Sequence, residues 1–248
     1  MARARRVYKV GGPALEDPQL IAPLAKEVAT FDGDVAMVHG GGRQIERLLK
    51  QLGVESKFID GRRETSPAAM EIVEMVLSGT MNKTLAAGLV RAGVSAAGIS
   101  GRDGSLIRAA LVPGLGQVGS PDHVNPSILE ALWAAKVIPV ISPVSSDSLG
   151  EAVNVNADEA AQWIARAIGA ETLVFLSDVD GVILDGAPVT HLNAAQIQAR
   201  TADGAIHGGM AMKVRMALDA AHSGIPAVII AGRARLLAGF PGTRISLK

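Results

Sequence analysis

Short, almost unbroken apolar runs alternate along this chain with longer stretches whose apolar positions recur at helical spacing. "RRVYKVGG", ending at Gly12, reads as a strand; 18–30 follows as a helix, "DVAMVHG" as a second strand and 43–52 as a second helix. "AAGIS", "VIPVIS", "TLVFLS" and "AVIIAG" are further strands with helical sequence between them. Strands that are apolar on both faces and separated by helices belong in a parallel sheet covered on both sides. The pattern predicts an α/β fold, a three-layer αβα sandwich with a mainly parallel central sheet.

Two interruptions modify that picture. Residues 105–124 carry "GLGQVG" between short apolar runs, which predicts a β-hairpin excursion. "ILDGAPVTHL" predicts a second one, turning on an Asp-Gly pair. There is no Ser/Gly linker, internal repeat or low-complexity tract, so a lobe boundary is placed softly near 169–171. It separates a 1–170 lobe from a 171–248 lobe.

Composition narrows the function classes. The 248 residues are 48% hydrophobic but only 3% aromatic, which gives enough apolar material for a large, aliphatic core. Twenty-four basic and 24 acidic residues cancel, and the "RARR" of Arg3 to Arg6 is the one basic block. Nucleic acid and anionic membranes are therefore not expected as partners. The absence of cysteine removes disulfides, cysteine nucleophiles and thiolate metal sites together. The basic start has no apolar core of about 7–15 residues, as a signal peptide needs, and no run approaches the roughly 18 residues of a membrane span. A cytoplasmic location is expected.

The candidate chemistry lies in the glycines. "HGGG" from His39 sits after a strand and before a helix, where unpaired amides and the helix dipole favour an anion. "KVGG" at Lys9 repeats the device at another strand end, and two such loops, one with a lysine, suit an anion held between them. No lysine follows a glycine, so a Walker A loop is excluded. "GLGQVG" matches G-x-G-x-x-G, but "SPDHVNP" follows it instead of a helix, and neither H-E-x-x-H nor G-x-S-x-G occurs. Lys9 stands inside an apolar strand, an unusual place for a solvated charge. Lys213 is expected in the first turn of a helix, opposed to the dipole unless an anion sits there. Arg43, just past the glycine triplet, reads as outward-facing. "LSDVDGV" ends a strand and brings Ser177, Asp178, Asp180 and Gly181 to the crevice where α/β sheets bind ligands. "NADEAA" around Asp158 is also a good helix-capping sequence.

"KVGG", "VHGGG", "GRRETS", "SGTMNKTLAAGL", "GISGRDGSLI", "NVNADEAA", "LSDVDGV" and "GGMAMKV" occur in this order. Together they resemble the amino acid kinase superfamily, and within it most closely the N-acetylglutamate kinases. The resemblance implies the amino acid kinase-like fold and transfer of the ATP γ-phosphate to the side-chain carboxylate of N-acetyl-L-glutamate, a step of arginine biosynthesis. It implies Lys9 and Lys213 beside the migrating phosphoryl group, with Asp158 hydrogen-bonded to both. Amides of Gly11, Gly12 and Gly41 would meet the phosphoryl oxygens. Gly41, Gly42, Arg63 and Asn154 would bind the acyl substrate, Arg63 as the bidentate partner of a carboxylate. Ser177, Asp178, Asp180, Gly181 and Met210 would shape the ATP pocket. Mg²⁺ would be held mainly by phosphates and water, with no dedicated protein ligands.

Two alternatives stand beside this reading: a kinase of carrier-bound aminoadipate or glutamate in lysine biosynthesis, and a non-catalytic sensor of an amino acid or nucleotide. The resemblance implies a homodimer through a two-fold interface at 67–90, a segment where Met70, Ile72, Val73, Val76, Leu77, Met81 and Leu85 give more apolar surface than one helical face of a monomer needs. The short segment before Lys9 and the composition of the C-terminus carry the further expectation of a dimer insensitive to arginine.

Overall fold

The computed structural model describes residues 3–11, 15, 17–59, 61–239 and 241–248. An eight-stranded sheet runs in the order His191–Asn193, Thr243–Ser246, Ala227–Ala231, Thr172–Leu176, Arg5–Val10, Asp34–His39, Ile138–Ser142 and Ala96–Ser100. Its pairings are parallel except that between Ala227–Ala231 and Thr243–Ser246. Alternation along Arg5–Val10 sends Val7 to one face and Tyr8 and Val10 to the other, where they join two different cores. Helices Ala157–Ala167 and Gly208–His222 supply the first core; Ile21–Ala29, Gly42–Leu52 and Pro67–Glu74 supply the second. Sheet and two helical layers make the three-layer sandwich.

Thr172–Leu176 pairs directly with Arg5–Val10, so the sheet passes without a break through the place where the lobe boundary is expected. The first excursion is the hairpin Ile107–Leu111/Val118–Val124, and it closes with Val144–Ser146 and Ala152–Val155 into a small barrel. The latter two strands have three and four residues, too few for a period to be read from sequence. The second excursion is the hairpin Val182–Leu184/Ala187–Val189, turning on Asp185 and Gly186.

The helical segment 67–91 corrects the argument for surplus apolar surface. Ser66 caps it by accepting from the Ala69 amide, Pro67 opens it, and a π-helical stretch, Met75–Met81, joins Pro67–Glu74 to Asn82–Arg91. Met70, Ile72, Val73, Val76, Leu77, Met81 and Leu85 are all 6% exposed or less within the single chain. The segment is enclosed by helices Ile21–Ala29 and Gly42–Leu52 and strands Ala96–Ser100 and Ala152–Val155, so its apolar residues are consumed by the chain's own core. On this segment Met75 and Val90 are the large apolar side chains left exposed.

Candidate active site

Five strand C-termini, those ending at Val10, His39, Ser142, Leu176 and Ala231, meet at one edge of the sheet. That edge is where ligands bind in open α/β sheets. Lys9 lies opposite Phe175 and Val38 in register, on the sheet face that Ala157–Ala167 covers. Asn156 caps this helix, its side chain accepting from the Asp158 amide at 2.8 Å and the Glu159 amide at 3.4 Å. Because Asn156 does the capping, the Asp158 carboxylate is left to meet Lys9, Oδ1 to Nζ 2.9 Å.

Lys213 does not share Asp158. Its ammonium donates to Asp178 Oδ1 at 2.6 Å, and Ser177 Oγ donates to the same oxygen at 2.8 Å. The Lys213 hydrogen bond, then that of Ser177, holds the Asp178 carboxyl down to about 2. The helix begins at Gly208, which puts Lys213 in its second turn, so the expected conflict with the dipole does not arise. Lys9, Lys213, Asp158 and Ser177 line one cavity of about 290 Å³.

Helical phase corrects Met210. It packs against the core, whereas Gly209, Met212, Lys213 and Met216, spaced i, i+3, i+4 and i+7, present one face to that cavity. The same spacing, counted from Gly209, was the signal for Met212 and Met216 in the sequence. Gly181 is buried and Asp180 half-buried beyond Asp178, and neither lines that cavity.

A second cavity of about 250 Å³ is lined by Gly40, Gly41, Gly42, Arg63, Leu77, Asn154 and Asp158 among others. Gly41 stands at the N-cap of Gly42–Leu52, with its Cα against the helical layer. A Cβ there would lie 2.7 Å from Leu77 Cδ2 and 3.2 Å from Met81 Cγ, so any larger residue would have to displace the buried Leu77 side chain. The amides of Gly41 and Gly42 begin a helix, where no preceding turn supplies a carbonyl. Gly11 differs from expectation: its amide donates to the Leu176 carbonyl at 2.9 Å, continuing the parallel ladder, and so is turned away from an anion. Gly12 lies outside the described residues.

Arg62 and Arg63 leave the short hairpin Phe58–Ile59/Arg62–Arg63 in opposite directions, as neighbours on a strand must. Arg62 donates to Glu159 at 2.6 Å, while burial pushes the Glu159 carboxyl up against the pull of Arg62. Arg63 is buried, donates to Glu46 at 2.7 Å and to the Gly42 carbonyl at 3.4 Å, and lies 4.5 Å over the Phe58 ring. Asn154 donates to Thr65 Oγ1 at 3.1 Å from the barrel side of the same cavity. Arg43 is exposed.

Sequence reasoning passed over the residues beneath the glycines. His39 and Asn82 are fully buried and linked, Nε2 to Nδ2 at 3.1 Å, and the same Nδ2 lies 2.8 Å from the Val140 carbonyl and 3.1 Å from that of Ile99, so its two hydrogens are shared among three acceptors. Burial holds the His39 imidazole down to about 4, against the opposing effect of its bond to the Gly40 carbonyl and with a smaller downward push from Lys83.

The two cavities share Asp158 at their junction, with Lys9 and Lys213 on one side and buried Arg63 on the other. Two anionic ligands brought together there would meet fixed cations and helix-terminal amides where charge moves between them. Among the described residues no helix is long and apolar enough to cross a membrane.

Comparison with known proteins agrees with this geometry. The chain is 46% identical to an acetylglutamate kinase of Rubrobacter xylanophilus over 94% of its own length and 91% of the relative's. It is 40% identical to an acetylglutamate kinase of Bacillus velezensis, covering 96% and 95% respectively. The crystal structure of smu.665 from Streptococcus mutans superposes with a TM-score of 0.82 at 26% identity, over 98% of this chain and 99% of that one. Residues 4–231 match the model of the amino acid kinase family, and the chain belongs to that family.

Proposed function

We propose that this protein transfers the γ-phosphoryl group of ATP to the side-chain carboxylate of N-acetyl-L-glutamate, giving N-acetyl-L-glutamyl 5-phosphate and ADP. The observation that carries the reading is the Lys9–Asp158 pair at the junction of two cavities, each flanked by its own cation, Lys213 or Arg63. A carboxylate oxygen forms the new bond to γ-phosphorus as the bond to the β,γ-bridging oxygen breaks. No proton needs to be removed from the acceptor, so catalysis rests on position and charge. Lys9 and Lys213 both line the nucleotide cavity and flank the migrating phosphoryl group, Lys9 next to the shared Asp158 that borders the acceptor cavity. The Gly41 amide meets an equatorial oxygen, and Asp158 fixes the direction of Lys9. Arg63 holds a substrate carboxylate and Asn154 the amino-acid end.

Mg²⁺ fits this site as an ion carried by the nucleotide. Asp158 and Asp178 are each engaged by an ammonium group, which leaves phosphate and water oxygens as its ligands. When bound it neutralises phosphate charge. In this reading 1–170 carries the acyl site and 171–248 the nucleotide site, in the cytoplasm where ATP is supplied. A homodimer completes the proposal, supported by Met75 and Val90, exposed on the helical segment that the resemblance makes an interface.

The test is turnover over N-acetylglutamate, glutamate, aspartate and aminoadipate derivatives, with ADP release coupled to NADH oxidation and the acyl phosphate trapped as its hydroxamate. Hydroxamate formed from N-acetylglutamate is expected. Nucleotide binding without ADP release on any of these acceptors would favour a sensor, and turnover only with carrier-bound aminoadipate would favour the lysine-pathway kinase.

A further inference from the structure

The peptide joining Gly40 to Gly41 is held from behind by its carbonyl: the Gly40 carbonyl lies 2.9 Å from His39 Nδ1, while the preceding peptide is anchored by the Gly40 N–H, which donates to the Val10 carbonyl at 3.0 Å. A carbonyl accepts only, so Nδ1 carries the hydrogen, and Nε2 is left to accept from Asn82 Nδ2 at 3.1 Å. Asn82 is itself immobilised. Its amide lies against the carbonyls of Val140 and Ile99 on two neighbouring strands, and its Oδ1 accepts from Lys83 Nζ at 3.2 Å. Lys83 is anchored in turn on the Gly98 carbonyl at 2.6 Å.

In a planar trans peptide the C=O and the following N–H point in opposite directions. A Gly40 carbonyl turned into the buried imidazole therefore sends the Gly41 N–H the other way, to the side where Gly40, Gly41 and Gly42 line the cavity. Between two glycines nothing in the local backbone prevents this peptide from rotating. We infer that His39, oriented by Asn82, is a positioning residue that aims the Gly41 amide at the transferring phosphoryl group. The inference rests on the proposed kinase reaction. It adds a residue that touches neither substrate and acts through one carbonyl.

The variants follow from which ring nitrogen matters. In His39→Asn the side-chain amide takes the place of Nδ1 and keeps a donor for Gly40. In His39→Gln the amide reaches the place of Nε2 and serves Asn82 while leaving Gly40 without its donor. Loss of one aimed donor is expected to lower kcat by about ten- to a hundredfold in His39→Gln, with KM for ATP and for N-acetylglutamate changed less than about threefold, since ground-state binding is shared with other groups. His39→Asn should recover most of kcat.

Equal kcat in the Gln and Asn variants, or losses that only follow their melting temperatures, would overturn the inference. Crystal structures of the two variants give a readout independent of turnover: the Gly40 carbonyl should turn from its present direction in His39→Gln and keep it in His39→Asn. An unchanged carbonyl in His39→Gln would also overturn it. A wild-type protein that makes no hydroxamate from N-acetylglutamate would overturn the proposed function, while the carbonyl would still decide the role of His39.

Discussion

Lys9 Nζ and Asp158 Oδ1 meet at 2.9 Å, both side chains about four-fifths covered, in the cavity that Lys213 also lines and at the point where Asp158 joins it to the second cavity. A lysine so enclosed keeps its direction without having to be ordered during the reaction, which is the condition for strong electrostatic catalysis. Lys9→Ala and Lys213→Ala are each expected to lower kcat by at least about a hundredfold while circular dichroism reports an intact fold. Near-normal ADP release from either variant would remove that lysine from the phosphoryl path.

Arg63 offers a planar fork beside the glycine loop, and its Glu46 partner has an exposed side chain. Arg63→Lys keeps the charge and loses the bidentate geometry. KM for N-acetylglutamate should rise by roughly tenfold or more, the cost of one lost charge-assisted bond, with KM for ATP nearly unchanged. Equal losses for both substrates would argue against a carboxylate clamp.

His39 makes stability depend on pH. Its folded pKa, about 4, lies below the ordinary 6.5, so between these values the unfolded chain binds a proton that the folded chain refuses. Stability is thus complete above about 6.5 and falls as the pH drops toward about 4, by up to about 1.4 kcal/mol per pH unit. Urea unfolding of the wild type and His39→Asn across this range should show the extra slope in the wild type alone. Parallel curves would mean that the imidazole is not held neutral.

Met75 is 53% exposed on the segment 67–91, whose other large apolar side chains, apart from Val90, are covered by the chain itself. If copies meet there, Met75→Glu places a charge in the contact. Light scattering should show a dimer for the wild type and a shift toward monomer for the variant. A wild-type monomer at micromolar concentration would contradict the proposed assembly.

Local order was legible in the linear sequence because it depends on neighbours in the chain. Apolar runs marked the central strands, Asp185–Gly186 marked a hairpin, and the capping sequence before Asp158 marked a helix start that Asn156 makes. The glycine ends of two strands and the lysine inside one of them pointed to an anion site, since buried lysine and paired glycine loops each need a reason. Tertiary structure alone decided which groups meet. Lys213 finds Asp178 because the Gly208–His222 helix, packed on Ala227–Ala231 and Thr243–Ser246, brings its N-terminal part beside the residues that follow Thr172–Leu176, a contact between residues 35 positions apart. The Gly11 amide is spent on Leu176 because the two strands are neighbours in the sheet, an order that periodicity does not encode. Seven apolar residues of 67–91 are covered by helices and strands distant in sequence, where amphipathicity by itself is satisfied equally by a core or a partner. His39 gave no signal of its own, because one histidine before glycines reads the same exposed or buried. Its meaning comes from Asn82, 43 residues on, which bonds to its ring, and from the Gly40 carbonyl that the ring holds in place.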